Sequence, residues 1–185
     1  GDLESLSLGD VRIVNGKLEY RDAKSGTVEM VENLNLTLNL PSLDQPFSAD
    51  GTATWHKEAL ALTFGAKSPR ALIDGGKTDV SVSLNGKPLK LSYTGALDAG
   101  KNSVDGKLDV DVPSVRKLAD WAGSPLTLQG DAVLNALKLS GQVAASAAQV
   151  SINGMTLSLD KINTTGDLAV ALGGKVPSAK GKLSV

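Results

Sequence analysis

Side chains able to do acid and base chemistry are sparse in this chain. Tyr20-Arg21-Asp22 is one compact cluster of mixed polar groups, and the only histidine, His56, stands in a short polar turn. General acid and base catalysis needs a donor and an acceptor that reach the same substrate, and neither group has a partner of matching spacing. We therefore expect Tyr20 to continue an apolar strand face, Arg21-Asp22 to open a turn, and His56 to lie at the surface.

The sequence also does not support a phosphate-binding loop or chemistry at a thiol group. Gly75-Gly76-Lys77 and Gly173-Gly174-Lys175 are too short for a phosphate-binding loop and neither begins a helix, so we interpret both as turns. The chain has no cysteine, which excludes a thiolate metal site, a cysteine nucleophile and a disulfide. We predict no catalytic residue, no metal site and no bound cofactor.

Charge and hydropathy narrow the classes of partner. The 185 residues include 19 basic and 20 acidic side chains, interspersed without long runs of one sign. This balance provides no electrostatic attraction for nucleic acid. No stretch approaches the roughly 18 consecutive apolar residues of a membrane span. Because the chain begins at Gly1-Asp2 without an initiator methionine, we expect residues 1–185 to be one β-rich segment of a longer protein.

Alternation of apolar and polar residues with period two dominates the chain and predicts β-strands. Asn-Gly between two such runs is the strongest short-range hairpin signal. The apolar phase also slips between Leu134 and Leu137, which predicts a bulge or break near Ala136. We predict hairpins that turn at Asn15-Gly16, His56-Lys57-Glu58, Asn85-Gly86, Asn153-Gly154 and residues 173–177.

One helix is expected to interrupt the strands, over residues 114–123. Ser114 follows a proline and has the type of an N-cap, Val115 and Leu118 begin an apolar stripe of helical spacing, and Gly123 has the type of a C-terminal stop. Its expected role is to cap one end of the sheet, and contact with lipid through Trp121 is the alternative. The stretch from Ser68 to Gly76 is expected to be a loop.

A succession of hairpins favours an all-β fold. It is compatible with one curved antiparallel sheet of groove-like form, with an open barrel, or with a two-sheet sandwich. Small residues at apolar positions, including Gly51, Gly95 and Gly106, favour bending, since glycine in a strand marks a kink or a close approach. The apolar face is then either an open groove or a filled core.

Short motifs follow one another along nearly the whole chain, at residues 11–22, 32–43, 49–51 with Trp55, 68–72, 112–118 and 165–185. In this order the motifs resemble the AsmA family of Gram-negative bacteria. This resemblance implies a periplasmic segment of a protein anchored in the inner membrane by an N-terminal helix outside residues 1–185. It also implies a role in outer-membrane biogenesis, with phospholipid moving between the two membranes along an apolar groove.

We therefore expect a non-enzymatic, lipid-handling scaffold that contacts phospholipid acyl chains, with envelope proteins as further partners. Each buried methylene contributes about 0.8 kcal/mol, so a uniform apolar track shields a chain and still lets it slide. The positions whose phase suits the groove lining are Val80, Val82, Leu84, Leu89, Leu91, Val104, Leu108, Val110, Leu168 and Val170.

Two other classes of function stay open. The first is a structural or interaction module that assists outer-membrane protein assembly without binding lipid in this segment. The second and weaker is a hydrolase of an envelope polymer, which would use a carboxylate pair such as Asp105 and Asp109.

Overall fold

A computed structural model of the protein describes residues 8–21, 28–126, 134–173 and 178–184, which form one antiparallel sheet and two short helices. Each strand pairs with the strands before and after it in the chain, and the first and last do not pair with each other, so the sheet is open. The expected all-β fold is confirmed. The strands are β1 (Leu8–Arg21), β2 (Val28–Leu40), β3 (Phe47–Trp55), β4 (Glu58–Ala66), β5 (Lys77–Gly86), β6 (Lys90–Asp98), β7 (Ser103–Val112), β8 (Leu137–Ala145), β9 (Gln149–Leu159), β10 (Ile162–Ala171) and β11 (Ser178–Ser184).

Period-two alternation gives the sheet two chemically different faces, because successive side chains of a strand point to opposite sides. The register aligns apolar residues with apolar residues and polar with polar from strand to strand. One row of directly opposed positions from β4 to β9 consists of Leu62, Leu84, Leu91, Val110, Leu139 and Leu157. The adjacent row on the other side consists of Thr63, Ser83, Ser92, Asp109, Ser140 and Thr156. We call the sides that contain these rows the apolar face and the polar face.

Two of the three predicted Asn-Gly hairpins are wrong. Asn15-Gly16 lies inside β1 and Asn153-Gly154 lies inside β9, each at a shift of the strand register. Asn15 (φ 50°) and Gly154 (φ 57°) have left-handed backbones, which a β-bulge uses as readily as a turn does. In both bulges a side chain of the neighbouring strand takes the irregular N–H group: Asn15 N–H donates to Asn35 Oδ1 at 3.0 Å, and Gly154 N–H to Asp167 Oδ1 at 2.8 Å.

The other predicted hairpins agree with the structure. Asn85-Gly86 ends β5, and the Gly86 N–H donates to the Leu89 carbonyl oxygen at 3.0 Å to close the turn into β6. The β3–β4 turn contains two residues, His56 (φ 45°) and Lys57 (φ 68°), and Glu58 already pairs with Trp55. β10 and β11 pair antiparallel as expected, and residues 174–177 of their connection lie outside the described residues.

The helix predicted over residues 114–123 is confirmed as α2 (Val115–Trp121). Ser114 caps it, with its Oγ accepting the Lys117 N–H at 3.3 Å. The stretch 68–76 is not only a loop, because it contains a second helix, α1 (Pro69–Ile73), with Ser68 as N-cap. Five residues are too few to show a helical period in sequence. Among the described residues no helix is long and apolar enough to cross a membrane.

The predicted break near Ala136 is confirmed, since β8 begins at the next residue, Leu137. The side chain of Asp160 accepts the N–H groups of Asn135 and Ala136 just before the strand. A separate register shift between β8 and β9 lies at Gly141. Residues 127–133 lie outside the described residues.

Burial on the apolar face is greatest at the two ends of the strands. We call the end that carries the His56-Lys57 turn the upper end and the end that carries α1 the lower end. Ala53, Leu60 and Val112 are buried at the upper end. The lower end buries Leu40, Leu43, Ala66 and Val80. Between these groups Met155 of β9 is also buried, and the other large apolar residues of the middle, such as Leu62, Leu84 and Val110, are half-buried.

Candidate functional site: the apolar face and its two ends

The predicted groove lining gathers on the apolar face. Val82, Tyr93 and Leu108 form one row across β5 to β7, and Leu84, Leu91 and Val110 form the next. A third row, from Val80 across Gly95, Gly106, Val143 and Ile152, leads to Leu168, and Val104 and Val170 belong to the row beyond. Leu89 lies in the turn before β6 rather than in a strand. That these residues line a lipid site stays a prediction.

The same rows contain residues that we had not assigned to the lining. They are Leu62 and Phe64 of β4, Tyr93 of β6, Leu139 of β8 and Leu157 of β9. The signal was present in the sequence, since each has the apolar phase of its own strand. Only the register shows that they continue the rows of the predicted residues.

The centre of the apolar face is shielded from the sides. The large apolar residues that stay exposed lie on the edge strands, as Leu18 (58%) on β1 and Leu183 (54%) on β11 do, or at strand ends and in connections, as Ile162 and Leu172 do. The central residues Leu62, Leu84 and Val110 are half-buried. The described elements form a single sheet with helices only at its ends, so neighbouring side chains of the same face provide this shielding.

A pair of glycines brings β6 and β7 together on this face. A methyl group added to Gly106 would come within 2.5 Å of the Gly95 Cα, so neither position accommodates a side chain. The Tyr93 ring covers the gap, and its hydroxyl donates to the Ala96 carbonyl oxygen at 3.2 Å. Burial, and then the negative charge of Asp105, raise the pKa of the Tyr93 hydroxyl. Tyr93 thus adds an un-ionised hydroxyl to the apolar face.

A polar and aromatic network closes the upper end, and we call its four residues, Glu29, Trp55, His56 and Trp121, the upper cluster. The Trp55 and Trp121 rings meet edge to face, with centroids 4.6 Å apart, and Trp121 Nε1–H donates to the Trp55 carbonyl oxygen at 3.2 Å. Trp55 Nε1–H donates to Glu29 Oε2 at 2.9 Å. The cluster therefore joins β2, the β3–β4 turn and α2.

His56 has partners that its sequence neighbours did not reveal. Its ring stacks on Trp55 at 4.2 Å, Nε2 lies 2.8 Å from Glu29 Oε2, and Nδ1 contacts the Trp121 carbonyl oxygen. His56 is exposed, as expected, but it is part of a network rather than an isolated surface residue. No group of three or more metal-binding side chains occurs among the described residues.

An ion pair marks the lower end. Arg70 of α1 binds Asp44 through two parallel contacts, one of them from Nη2 to Oδ2 at 2.9 Å, and the Arg70 N–H donates to the Leu43 carbonyl oxygen at 2.9 Å. The hydrogen bond from Arg70 lowers the pKa of the Asp44 carboxyl. α1 is thereby tied to the loop that follows β2.

The polar face carries a depression of about 540 Å³ between β5 and β9. Hydroxyl groups line it, from Ser83, Ser92, Ser140 and Thr156. Lys138, which also lines it, forms an ion pair with Asp111 of β7. The short side chains of the row from Ser83 to Thr156 leave this shallow space. It contains no aromatic residue and no histidine.

The carboxylate pair considered for hydrolysis does not converge. Asp105 and Asp109 lie four residues apart on β7, which separates them by about 13 Å along an extended strand. Paired glycosidase carboxylates are about 5 to 10 Å apart. Asp109 forms an ion pair with Lys107 at 3.2 Å. These two residues therefore do not form a glycosidase pair.

The described residues of the cluster Tyr20-Arg21-Asp22 do not form a compact site. Tyr20 pairs with Glu29 in the β1–β2 ladder and is 63% exposed, and Arg21 contacts Glu19. Asp22 lies outside the described residues. Tyr20 thus continues the side of Leu18, as predicted.

No protein-family model matches the chain, and neither curated proteins nor solved structures give a significant match. The resemblance to the AsmA family consequently stays a prediction from the quoted motifs.

Proposed function

We propose that this chain is a non-enzymatic, lipid-handling scaffold of outer-membrane biogenesis, and that its apolar face carries phospholipid acyl chains between the inner and outer membranes. The observation that supports this most is the unbroken row of apolar side chains from β4 to β9, half-buried and without a second layer among the described elements. An apolar face of this extent in contact with water is typical of a binding surface.

The dimensions of the face suit an acyl chain. Five inter-strand steps separate β4 from β9 along the apolar row, which at about 4.8 Å each is about 24 Å. A bilayer hydrocarbon core is about 30 Å thick and holds two leaflets, so one acyl chain covers about half of that span. The face therefore offers a chain more than one equivalent position along the row, which permits sliding.

The periplasmic location and the inner-membrane anchor outside residues 1–185 belong to the same proposal. They derive from the AsmA resemblance, and the absence of thiols in the chain is compatible with them. Phospholipid is the proposed partner, and neither nucleic acid nor a cofactor is required.

The second candidate is an interaction module in outer-membrane protein assembly, and the open sheet edges favour it. Among the described strands, β1 and β11 each have one neighbour, and β11 is exposed along its whole length. An unpaired strand edge is a template for β-strand addition by another chain. Lys180 and Lys182 on β11 weaken this argument, because lysine on an edge strand opposes pairing.

Adjacent residues of β6 provide a matched test of the lipid proposal. Leu91 lies on the apolar face, and Ser92, the next residue, lies on the polar face. The purified chain is incubated with vesicles of phosphatidylethanolamine and phosphatidylglycerol, and bound lipid is measured by native mass spectrometry. We expect Leu91→Glu to reduce bound lipid about tenfold or more, because a charge against an acyl chain costs several kcal/mol. Ser92→Glu is expected to bind as the unmodified chain does.

Photocrosslinking in cells separates the two candidates. A photoreactive residue at Leu91 or Val110 is expected to capture phospholipid, and one at Ser92 or Asp109 is not. A lipid-free chain, or equal lipid loss in Leu91→Glu and Ser92→Glu, would overturn the proposal. Protein adducts at β11 without lipid adducts at Leu91 would favour the interaction module.

A further inference from the structure

Both ring nitrogens of His56 face groups that only accept hydrogen bonds. Nε2 lies 2.8 Å from the Glu29 carboxylate oxygen, and Nδ1 contacts the backbone carbonyl oxygen of Trp121. A neutral imidazole has one N–H, so it donates to one of these oxygens and turns a lone pair toward the other. The imidazolium has two N–H groups and donates to both. The geometry of the upper cluster therefore matches the protonated ring.

We propose that His56 is a proton-controlled latch that holds α2 against the upper end of the apolar face. The carbonyl that Nδ1 contacts belongs to Trp121, the last residue of α2. The first residues of the helix are tied elsewhere, since the Val115 and Arg116 N–H groups donate to the carbonyl oxygens of Asn135 and Leu134. The C-terminal end of α2 is thus the end that the latch controls.

α2 depends on its contacts with the rest of the chain. Its length of seven residues is below that of a helix stable by itself, and none of its residues is fully buried, with Val115, Leu118 and Ala119 half-buried. Its C-terminal turn is held through Trp121, by the ring contact with Trp55, the bond from Trp121 Nε1–H, and the contact with His56. Removing one of these contacts consequently weakens the docking of this turn.

The direction of the effect follows from the two acceptors. A carboxylate accepts a stronger hydrogen bond than a neutral carbonyl does. Glu29 is held in position by a second donor, Trp55 Nε1–H. When His56 loses a proton, the remaining N–H stays with Glu29, and the contact with Trp121 is lost. Deprotonation therefore loosens α2, whereas mild acid strengthens its docking.

Histidine, and not the other charged groups near the latch, sets the pH range of the response. Lys57 is next to His56 in the turn, Glu58 begins β4, and Asp120 precedes Trp121 on α2. Among side-chain types, histidine is the one whose charge ordinarily changes between pH 5 and 8. We expect α2 to be docked near pH 5.5 and loosened near pH 8.

The consequence for lipid rests on the proposed function. Ala53 and Leu60 are buried at the upper end, on the side of the sheet where Trp121 packs against Trp55. A loosened α2 exposes this end of the apolar rows, so an acyl chain gains an entry point at higher pH. In this way the latch adds regulation to the apolar face.

The latch is testable without lipid because Trp55 and Trp121 are the only tryptophans and His56 is the only histidine. Acrylamide quenching of tryptophan fluorescence is measured on the purified chain at pH 5.5 and pH 8. Loss of one charge-assisted hydrogen bond is expected to weaken docking about tenfold, so quenching rises with pH. His56→Gln is expected to give the same quenching at both pH values.

Two controls keep this test decisive. Lys57→Gly changes the neighbouring turn residue, suits its left-handed backbone (φ 68°), and is expected to retain the pH response. Circular dichroism shows whether His56→Gln keeps its sheet. If it does not fold, Glu29→Gln is tested in its place. This variant removes the anion that holds the last proton, and it is expected to weaken the pH response. Quenching that is independent of pH in the unmodified chain, or equally dependent in His56→Gln, would overturn the latch.

Lipid binding is then measured at both pH values by native mass spectrometry with the same vesicles. More lipid at pH 8 than at pH 5.5, with no difference in His56→Gln, supports the link between latch and lipid. A pH-dependent quenching signal without bound lipid at either pH retains the latch and rejects the proposed function. Equal lipid binding at both pH values rejects the link alone.

Discussion

The two ends of the sheet carry helices of similar size that are held by different chemistry. α1, at the lower end, is tied by the guanidinium of Arg70 to Asp44. α2, at the upper end, is tied by the imidazole of His56 and the ring of Trp121. A guanidinium is charged at every physiological pH, whereas an imidazole is not. The difference makes the lower end a constant closure and the upper end the one that solution conditions can change.

The pKa of Asp44 supports the same contrast. The hydrogen bond from Arg70 lowers this pKa, so the carboxylate stays ionised under all but strongly acid conditions. Near neutral pH neither member of the lower ion pair changes its charge. In the upper cluster the proton of His56 decides whether one contact or two are made.

The largest effect in this comparison is expected from the buried leucines, Leu43 at the lower end and Leu60 at the upper end. Both are almost fully buried, at 4% and 6% exposure. Leu43→Ala and Leu60→Ala are each expected to lower the free energy of unfolding by about 3 kcal/mol, through lost transfer energy and the cavity left behind. Urea titration followed by circular dichroism measures the loss.

The pair also tests whether the ends are independent. Leu43→Ala is expected to leave the pH response of tryptophan quenching unchanged, because both tryptophans lie at the upper end. Leu60→Ala is expected to reduce it. An identical effect of the two variants on quenching would show that the ends act as one unit.

A smaller effect is expected from the two helix caps, Ser68 and Ser114. Each side chain accepts a backbone N–H three residues later, at 3.4 Å from Ala71 and 3.3 Å from Lys117. Replacing such a serine with alanine costs about 1 kcal/mol of helix stability. We expect Ser114→Ala to increase acrylamide quenching at pH 5.5 and Ser68→Ala to leave it unchanged. Unequal losses measured by urea titration would show that one cap contributes beyond its own helix.

The smallest effect is expected from acid at the lower end. A carboxyl whose pKa is lowered in the folded state stabilises the fold above its unfolded pKa, about 3.9, and loses this contribution as the pH falls through the folded value. The amide exchange of α1 is therefore expected to be constant from pH 8 to pH 5 after correction for the intrinsic rate, and to rise only below about pH 4. In Asp44→Asn the rise below pH 4 is expected to disappear. A change between pH 5 and 8 would contradict the contrast between the ends.

Local signals in the sequence predicted most of the elements. Alternation located the strands from β3 to β7, and Ser114 with the apolar spacing of Val115 and Leu118 located α2. These signals are local because the side of a strand or helix on which a residue lies depends on its own backbone period. α1 was missed because Ser68-Pro69 is followed by too short a stretch to show a period.

The three Asn-Gly pairs show where local signals fail. Asn85-Gly86 turns the chain, whereas Asn15-Gly16 and Asn153-Gly154 bulge within long strands. In all three pairs, residues that can adopt a left-handed backbone lie between two runs of alternating apolar and polar residues. The outcome depends on whether a neighbouring strand is long enough to pair with both runs, as β2 does with β1.

The candidate site also has one part that local sequence signals indicate and one part that they do not. Apart from Leu89, the positions predicted for the lining share the apolar face, as their phase indicated, and Leu139 and Leu157 would have followed from the same phase. The upper cluster was not predictable, because Glu29, His56 and Trp121 are separated by 27 and 65 residues. Nothing in the local sequence brings them together.

The sequence by itself determined that the chain alternates, that it forms strands, and that one face of those strands is apolar, because these are properties of each run of residues. The tertiary structure decided which Asn-Gly pairs turn the chain, which rows the leucines form, and that the only histidine meets both tryptophans and Glu29. These outcomes depend on the register between strands and on the packing of α2, and both involve contacts between residues that are distant in the chain.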